Sequence, residues 1–402
     1  MFSPDRESGL QRLEAFLPKA ARAYASGRNT DYGQGNHETV SILSPWIRHR
    51  LICEEEVVRK VLRKHAFKSA EKFLQEVYWR SYFKGWLEQR PEVWSRYTND
   101  LASQAKKLGV DPTLSQDYNA AVEGKTGIEC FDCWTKELIQ TGYLHNHARM
   151  WFASIWIFTL KLPWVLGADF FHRHLLDGDA ASNTCSWRWV AGLHTKGKHY
   201  VARSSNIEKF TGGRFNPSGL LNESPLPLCE DWEARLVSPP QTNTIADAPY
   251  VLVLHDEDCS PETLDLPHPP AAIFAFDHPH RGSHFGTSPG VSEFSKSSVN
   301  DAMYRAEVHF GVDAKEFAAK GSIEDLIAFS KKTGLTSFVM PHLCVGPLKD
   351  MFSKYEPTLE EHDIRLTAIV RSYDLACWPY ATRGFFKLKE KIPRIINELG
   401  LS

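Results

Sequence analysis

The sequence predicts two units in tandem, a mainly α-helical domain followed by an α/β domain of doubly wound, Rossmann-like type. Three observations carry this. Up to about residue 222, apolar residues recur every three or four positions, the period of an amphipathic helix. Residues 223–249 then gather Pro225, Pro227, Pro239, Pro240 and Pro249 among polar residues, the composition of a linker. From 250 to 402, short apolar runs alternate with helical stretches, as parallel βαβ units do.

In the first unit, Leu10, Leu13, Phe16, Leu17, Ala20 and Tyr24 form one apolar stripe. VVRKVLRKHAFKSAEKFLQEVYWRSYFKGWLEQR and ECFDCWTKELIQTGYLHNHARMWFASIWIFTL read as long helical zones, the second broken at Gly142, because glycine is poor in a helix interior. In the second unit YVLVLH, AAIFAF, SFVMPHL and RLTAIV are strand candidates. SVNDAMYRAEVHFG and SIEDLIAFSKKTG are the helices between them, the latter with Ser322 as cap, Asp325 three residues on and Gly334 as stop. No GxGxxG follows the first strand, so dinucleotide binding there lacks its fingerprint.

The chain has 402 residues, 42% apolar and 24% charged, enough apolar material for a sizeable core. A net charge of -2 excludes a global basic field for nucleic acid, so any basic face is local. Twelve Trp suggest aromatic-lined sites as well as core. Eight scattered Cys point to free thiols in a reducing compartment. Cys130 and Cys133 have CxxC spacing, but no second pair accompanies them, so packing on a helix is expected rather than metal or redox chemistry. With no secretory leader and no apolar run of about 18 residues, a cytoplasmic protein is expected.

Four stretches could carry chemistry. In LLDGDAASNTCSWRW, a helix over 179–189 would put Asp179, Asn183 and Trp187 on one face. Buried, such a stripe needs polar partners, which a flat heteroaromatic ligand would supply; the plainer alternative is a solvated turn with Trp187 in the core. In TGYLHNHARM, Asn146, Arg149 and Met150 face one way, and Arg149 could pair with Asp177. In QEVYWR, Glu76 and Trp79 share a face beside Arg80, able to hydrogen-bond and stack a base. In YASGRNTDYGQGNHETVSILSPW, Tyr24, Ser41 and Ser44 offer hydroxyls ahead of a helix, where phosphate is favoured.

Together these stretches, over roughly residues 24–217, resemble the FAD-binding helical domain of the photolyase/cryptochrome family. The resemblance implies FAD as cofactor. Asp177 and Asp179 would meet the ring edge and ribityl region, and Asn183 would lie beside flavin N5. Arg149 and Arg80 would line the pocket, and Ser41, Ser44 and Tyr24 would hold the phosphates. Glu76, Trp79, Asn146, Met150 and Trp189 match positions that contact the lesion in cyclobutane pyrimidine dimer photolyases; His147 stands where those enzymes usually carry Arg. Trp187 and Trp164 match the first two members of the family's Trp relay, and Asp111 stands where the third falls.

The implied activity is light-dependent repair of pyrimidine dimers in DNA by electron transfer from excited reduced FAD. A cryptochrome-like blue-light receptor without repair is the alternative. His147, Arg188, Lys196, Lys198, Arg203 and Arg214 are the candidate DNA contacts, and a monomer is expected, with no metal or membrane partner. Family members run α/β domain first; the reverse order here implies a circular permutation. The segment SYDLACWPYATRGFFKLKEKI is similar to the end of the usual N-terminal domain.

Overall fold

The computed structural model describes residues 2–402 apart from 277–281, 313–316 and 321. The first part is helical: α1 (Arg6–Phe16), α2 (Arg22–Gly27), α3 (Ser44–Arg48), α4 (Glu54–Lys64), α5 (Phe67–Glu88), α6 (Pro91–Leu108), α7 (Pro112–Val122), α8 (Glu129–Thr141), α9 (Asn146–Ser154), α10 (Trp164–His174), α11 (Ala180–Ala191) and α12 (Ser204–Phe210). Boundaries follow local chemistry. The apolar stripe expected through Tyr24 breaks at a 3-10 turn over Leu17–Lys19, because Pro18 cannot continue the ladder. The long zone around residue 65 divides into α4 and α5. α4 carries Glu54, Glu55 and Glu56 in its first turn and Arg63 and Lys64 in its last, complementing the helix dipole at both ends. Gly142 ends α8 at a φ of 68°, as its breaking role predicts. α9 runs directly into a π turn, Ile155–Thr159.

Residues 211–250 form no helix or strand. They are laid along the surface by backbone bonds, Leu228 N–H to Ala191 (2.9 Å) and Val237 N–H to Gln89 (3.0 Å) among them.

The second part contains β1 (Val251–His255), β2 (Ala272–Phe276), α13 (Pro289–Phe310), β3 (Phe317–Lys320), α14 (Ile323–Thr333), β4 (Ser337–Pro341), α15 (Pro347–Glu361), β5 (Arg365–Ile369), α16 (Ser372–Cys377) and α17 (Phe386–Glu398). The four expected strands all form, and β3 joins them unannounced. Among the described residues they make one sheet in the order β3-β2-β1-β4-β5, every pair parallel. Val251 stands opposite both Ala272 and Phe338. Alternate side chains serve two cores, as strand geometry requires. Val251, Val253, Phe274 and Phe338 pack with residues of α14 and α15. Leu252, Leu254, Ile273 and Val339 join the core of the helical part.

The order of the strands reverses between β1 and β4, and ligands of open α/β sheets sit beyond the carboxyl ends at such a point. Here that crevice holds side chains of the helical part. Arg48 meets Asp256 (3.3 Å), Lys84 reaches Cys344 Sγ (3.4 Å), and Glu88 accepts from His342 (3.0 Å) and the Val345 N–H (2.5 Å). The chain returns to α5 at its end. Trp378 packs so closely on Gly85 that a Cβ there would lie 2.6 Å from the indole.

Candidate active site

Three helices bring the charged residues of the site together. The turn between α10 and α11 presents Asp177, Gly178 and Asp179. Asp179 caps α11 by accepting from the Ser182 N–H (2.8 Å). The same carboxylate lies 3.2 Å from Arg80 and 3.8 Å from Lys84, one helical turn apart on α5. Arg48, from α3, donates to the Gly178 carbonyl (3.0 Å) and so fixes the turn from behind. Arg149, on α9, grips Asp177 with two bonds of 3.0 and 2.8 Å, the pairing the sequence suggested. Asn183 is buried and donates from Nδ2 to the Ala168 carbonyl (2.7 Å), which fixes its amide and leaves Oδ1 as acceptor.

The α11 face is closely packed by its neighbours. Gly167 on α10 lets the Trp187 ring approach to where a Cβ would be 2.4 Å away. Trp187 meets Trp156 edge-on (6.2 Å) and Phe171 (5.1 Å), whereas Trp164 lies against Tyr97 (5.7 Å). Asp111, at the third relay position, caps α7 by accepting from the Leu114 N–H (3.0 Å). Ser182 Oγ, Thr184 Oγ1 and Trp187 Nε1 are buried without a hydrogen-bond partner.

The phosphate-side segment turns sharply. Ile42 has a φ of 56°, unusual for a β-branched residue, and such conformations persist only where the surroundings impose them. Ser41 and Ser44 on either side are both half-buried; Ser41 Oγ accepts from the Leu43 N–H (3.4 Å), and Ser44 opens α3. Tyr24 is farther into the core, edge-on to Phe16 (5.9 Å) and Phe73 (5.2 Å), and burial pushes its phenol up.

The residues expected on the lesion side are joined by a chain of contacts. Trp189 stacks on Tyr200 (5.7 Å, 26°), and the Tyr200 hydroxyl lies 3.3 Å from His147 Nε2. His147 Nδ1 is 2.8 Å from the Asn29 carbonyl. The neighbouring Arg28 pairs with Glu76 (2.5 Å). Three residues on, Trp79 stacks face to face on Phe385 (4.0 Å, 13°). Each of the two tryptophans is thus backed by a second ring. Asn146 is exposed at the start of α9, with Met150 half-buried one turn on. Burial raises the Glu76 carboxyl, and Arg28 pulls it back only in part.

The candidate DNA contacts divide into buried and exposed residues. His147 is buried and bracketed by Asn29 and Tyr200, so it holds α9 in place and presents little surface to a DNA strand. Arg188 is buried too, paired with Glu230 (2.9 Å) and set over the Trp164 and Trp232 rings. Arg214 pairs with Asp31 (3.0 Å) and Lys196 with Glu233 (3.3 Å), while Lys198 and Arg203 are exposed. The sequence reading missed Arg48 and Lys84. The spacing of Lys84, four residues after Arg80, was the available signal; Arg48 lay hidden in a run of cations.

A family model, the FAD-binding domain of DNA photolyase, matches residues 73–255. Over these residues the chain is similar to the FAD-binding domain of the photolyase/cryptochrome family, with FAD as the cofactor of such a domain. Among curated relatives of this photolyase-type domain, a deoxyribodipyrimidine photo-lyase of Thermus thermophilus is 32% identical over 222 residues, 54% of this chain and 49% of that one. The Streptomyces griseus enzyme of the same name is 30% identical over 206 residues, 50% of this chain and 43% of that one. The chain therefore spans about half the length of the curated relatives it matches. Among solved structures, a class III photolyase from Agrobacterium tumefaciens is 26% identical with a TM-score of 0.43, over 53% of this chain and 44% of that one.

The residues present fit FAD. The Trp187 N–H, buried without a partner among the described residues, lies on the helix face of Asn183 four residues before it and near the Asp179 cap, and a polar ring system on that face would satisfy a group whose burial otherwise costs about 1–3 kcal/mol. No helix is long and apolar enough to cross a membrane among the described residues.

The buried acids make stability pH-dependent. Burial works against the charged forms of Asp179 and Asp258, but Arg80 and Lys84 hold the first, and Arg371 and Arg50 the second, far below the usual carboxylate range. That contribution is complete above the unfolded value of about 3.9 and is lost as pH falls below it. Asp169 on α10 behaves oppositely, since burial pushes it up to about 6 despite Ser283 and Arg173. Its charged form burdens the fold above that pH, and the burden fades on acidification towards about 4. Thermal melts should show wild type losing stability between about pH 4 and 6 relative to Asp169→Asn, with both collapsing below about pH 4; parallel curves from 4 to 6 would remove Asp169 from the account.

Proposed function

We propose that this protein repairs cyclobutane pyrimidine dimers in DNA under blue light. The observation that carries the reading is the lesion-side arrangement. Trp79 and Trp189 are each held by a backing ring, and Glu76 and Asn146 stand on the two helices tied together through His147 and Arg28. Trp79 and Trp189 clasp the dimer, which is flipped out at low cost because it is already poorly stacked. Glu76 and Asn146 hydrogen-bond its imide and carbonyl edges. Asp177, Asp179, Arg149, Arg80 and Asn183 hold the flavin, and Ser41, Ser44 and Tyr24 serve its phosphate side. Bound reduced FAD supplies the light-driven electron that opens the ring and receives it back. Trp187 and Trp164 serve electron supply, with Asp111 ending that relay early.

We further propose a helical catalytic domain over 1–222, a linker over 223–249 and an antenna-like, Rossmann-like α/β domain over 250–402, related to the family by circular permutation. Support comes from α4, where Lys60 pairs with Glu14 and Arg59 donates to the Gly400 carbonyl (2.7 Å). α4 therefore touches both the first helix and Gly400 just after α17, so the two units pack on one another as they would after such a rearrangement.

The test is blue-light repair of a dimer-containing oligonucleotide. Wild type should repair it, and Glu76→Ala should bind it about tenfold or more weakly, the worth of one hydrogen bond to a charged group. FAD bound tightly with dimers left intact would transfer the protein to the light-receptor reading.

A further inference from the structure

The sequence placed the candidate DNA-facing cations between Arg188 and Arg214, yet Arg188 is buried against Glu230, and Arg214 and Lys196 are paired at the surface with Asp31 and Glu233. A molecule with a net charge of -2 must present its phosphate-binding surface locally. The start of α17 meets that need. Phe385 and Phe386 are adjacent, and they face opposite ways. Phe385 is buried, flat against Trp79 and edge-on to Tyr82 (5.9 Å). Phe386 is 72% exposed. Arg383 and Lys387, on either side, are not buried, and among the described residues no ion pair reaches either. Lys389 lies over the Phe386 ring at 6.0 Å. From 383 to 394 the sequence carries five cations, Arg383, Lys387, Lys389, Lys391 and Arg394, against one carboxylate, Glu390.

An exposed aromatic face flanked by unpaired cations is a stacking platform with its own phosphate anchors. It is tied to the candidate lesion face through the chain alone, since Phe385, the residue before it, backs Trp79. We infer that Arg383, Phe386 and Lys387 form a second wall of the DNA site, binding an unstacked stretch of the strand that flanks the dimer. Phe386 stacks on a base, and Arg383 and Lys387 take phosphates. This rests on the DNA-repair reading above.

The holoprotein can test it by fluorescence anisotropy with labelled oligothymidylate and with a dimer-containing duplex, each over a salt series. Phe386→Ala should weaken oligothymidylate binding about tenfold with the salt slope unchanged. The pair Arg383→Gln with Lys387→Gln should flatten the slope by about 1.4 on the single strand. Arg394→Gln, whose side chain already pairs with Glu398 (2.7 Å), should leave the slope at the wild-type value. Unchanged affinity and slope in the first two variants, with wild type still repairing dimers, would overturn this wall and leave the repair reading standing. A wild type that binds neither oligonucleotide would overturn both. Self-association lost in Phe386→Ala, with DNA binding intact, would reassign the patch to a protein contact and overturn the inference.

Discussion

Replacing Asp179 with alanine is expected to lower the unfolding free energy by about 3–5 kcal/mol, the range for breaking a buried ion pair from one side. The carboxylate does two separable jobs. It caps α11, worth about 1 kcal/mol, and it neutralises Arg80 and Lys84 in a site with little access to water. Asp179→Asn separates them, because an amide oxygen still accepts from the Ser182 N–H while the charge is gone. Arg80 retains Glu54 at 3.3 Å, but Lys84 is left with the Cys344 thiol. Its ammonium then lies buried with only the field of Glu54, which Arg50 and Arg80 already share, so its folded pKa falls below the unfolded value of about 10.4. The unfolded state binds more protons in that window, and stability of Asp179→Asn should rise with pH from about 7 to 10, a slope wild type lacks. Urea titrations at several pH values read both effects. A loss under about 1 kcal/mol with no pH slope would mean that Lys84 finds water or another partner. Flavin absorbance of the purified variants should fall together with stability.

Much of this centre was legible in the sequence, and what escaped did so for physical reasons. Arg149 with Asp177, and Asn183 with Trp187, could be found because helical spacing puts partners on one face or the residue types allow one bidentate pairing. The strands could be found because a parallel sheet buried on both faces reads as continuous apolar runs. β3, FAAK, is short and weakly apolar, so it is defined by its partner β2 more than by its own residues. Arg188 was hard to place because a cationic residue looks the same in sequence whether it faces solvent or a buried carboxylate, and only the fold brings Glu230 to it; His147 likewise gives no local sign of the Asn29 carbonyl and Tyr200 hydroxyl that enclose it. The backing rings Phe385 and Tyr200 were invisible for a related reason. Phe385 lies about 300 residues from Trp79, and no local pattern encodes a contact between parts that meet only when the sheet is docked on α5.

That docking leads to the other large expected effect. Arg50 is buried where the two parts meet, and it pairs with Glu54 (3.3 Å) from its own side, with Asp258 after β1 (3.2 Å) and with Asp374 on α16 (2.6 Å). Arg371 supplies the second cation, on Asp258 at 2.6 Å. Arg50→Met keeps most of the side chain's volume and removes the charge, leaving three carboxylates together with too few cations. The expected loss is again about 3–5 kcal/mol. Arg50 also has a φ of 50°, so part of its native conformation is strained, by about 1 kcal/mol. Arg50→Gly would relieve that strain and should still be destabilised, because the charge term is the larger. The pH response decides the mechanism. In wild type, Glu54 and Asp258 lie below the usual carboxylate range, both against burial, Glu54 through Arg50 and Arg80 and Asp258 through Arg371 and Arg50. Without Arg50 they shift upward, and the penalty of keeping them charged should fade as pH drops from about 7 to 5, whereas wild type gains nothing from these groups over that range. A variant whose deficit stays constant with pH would show that Arg50 acts through packing, and the seam between sheet and helices would then be held by its apolar residues alone.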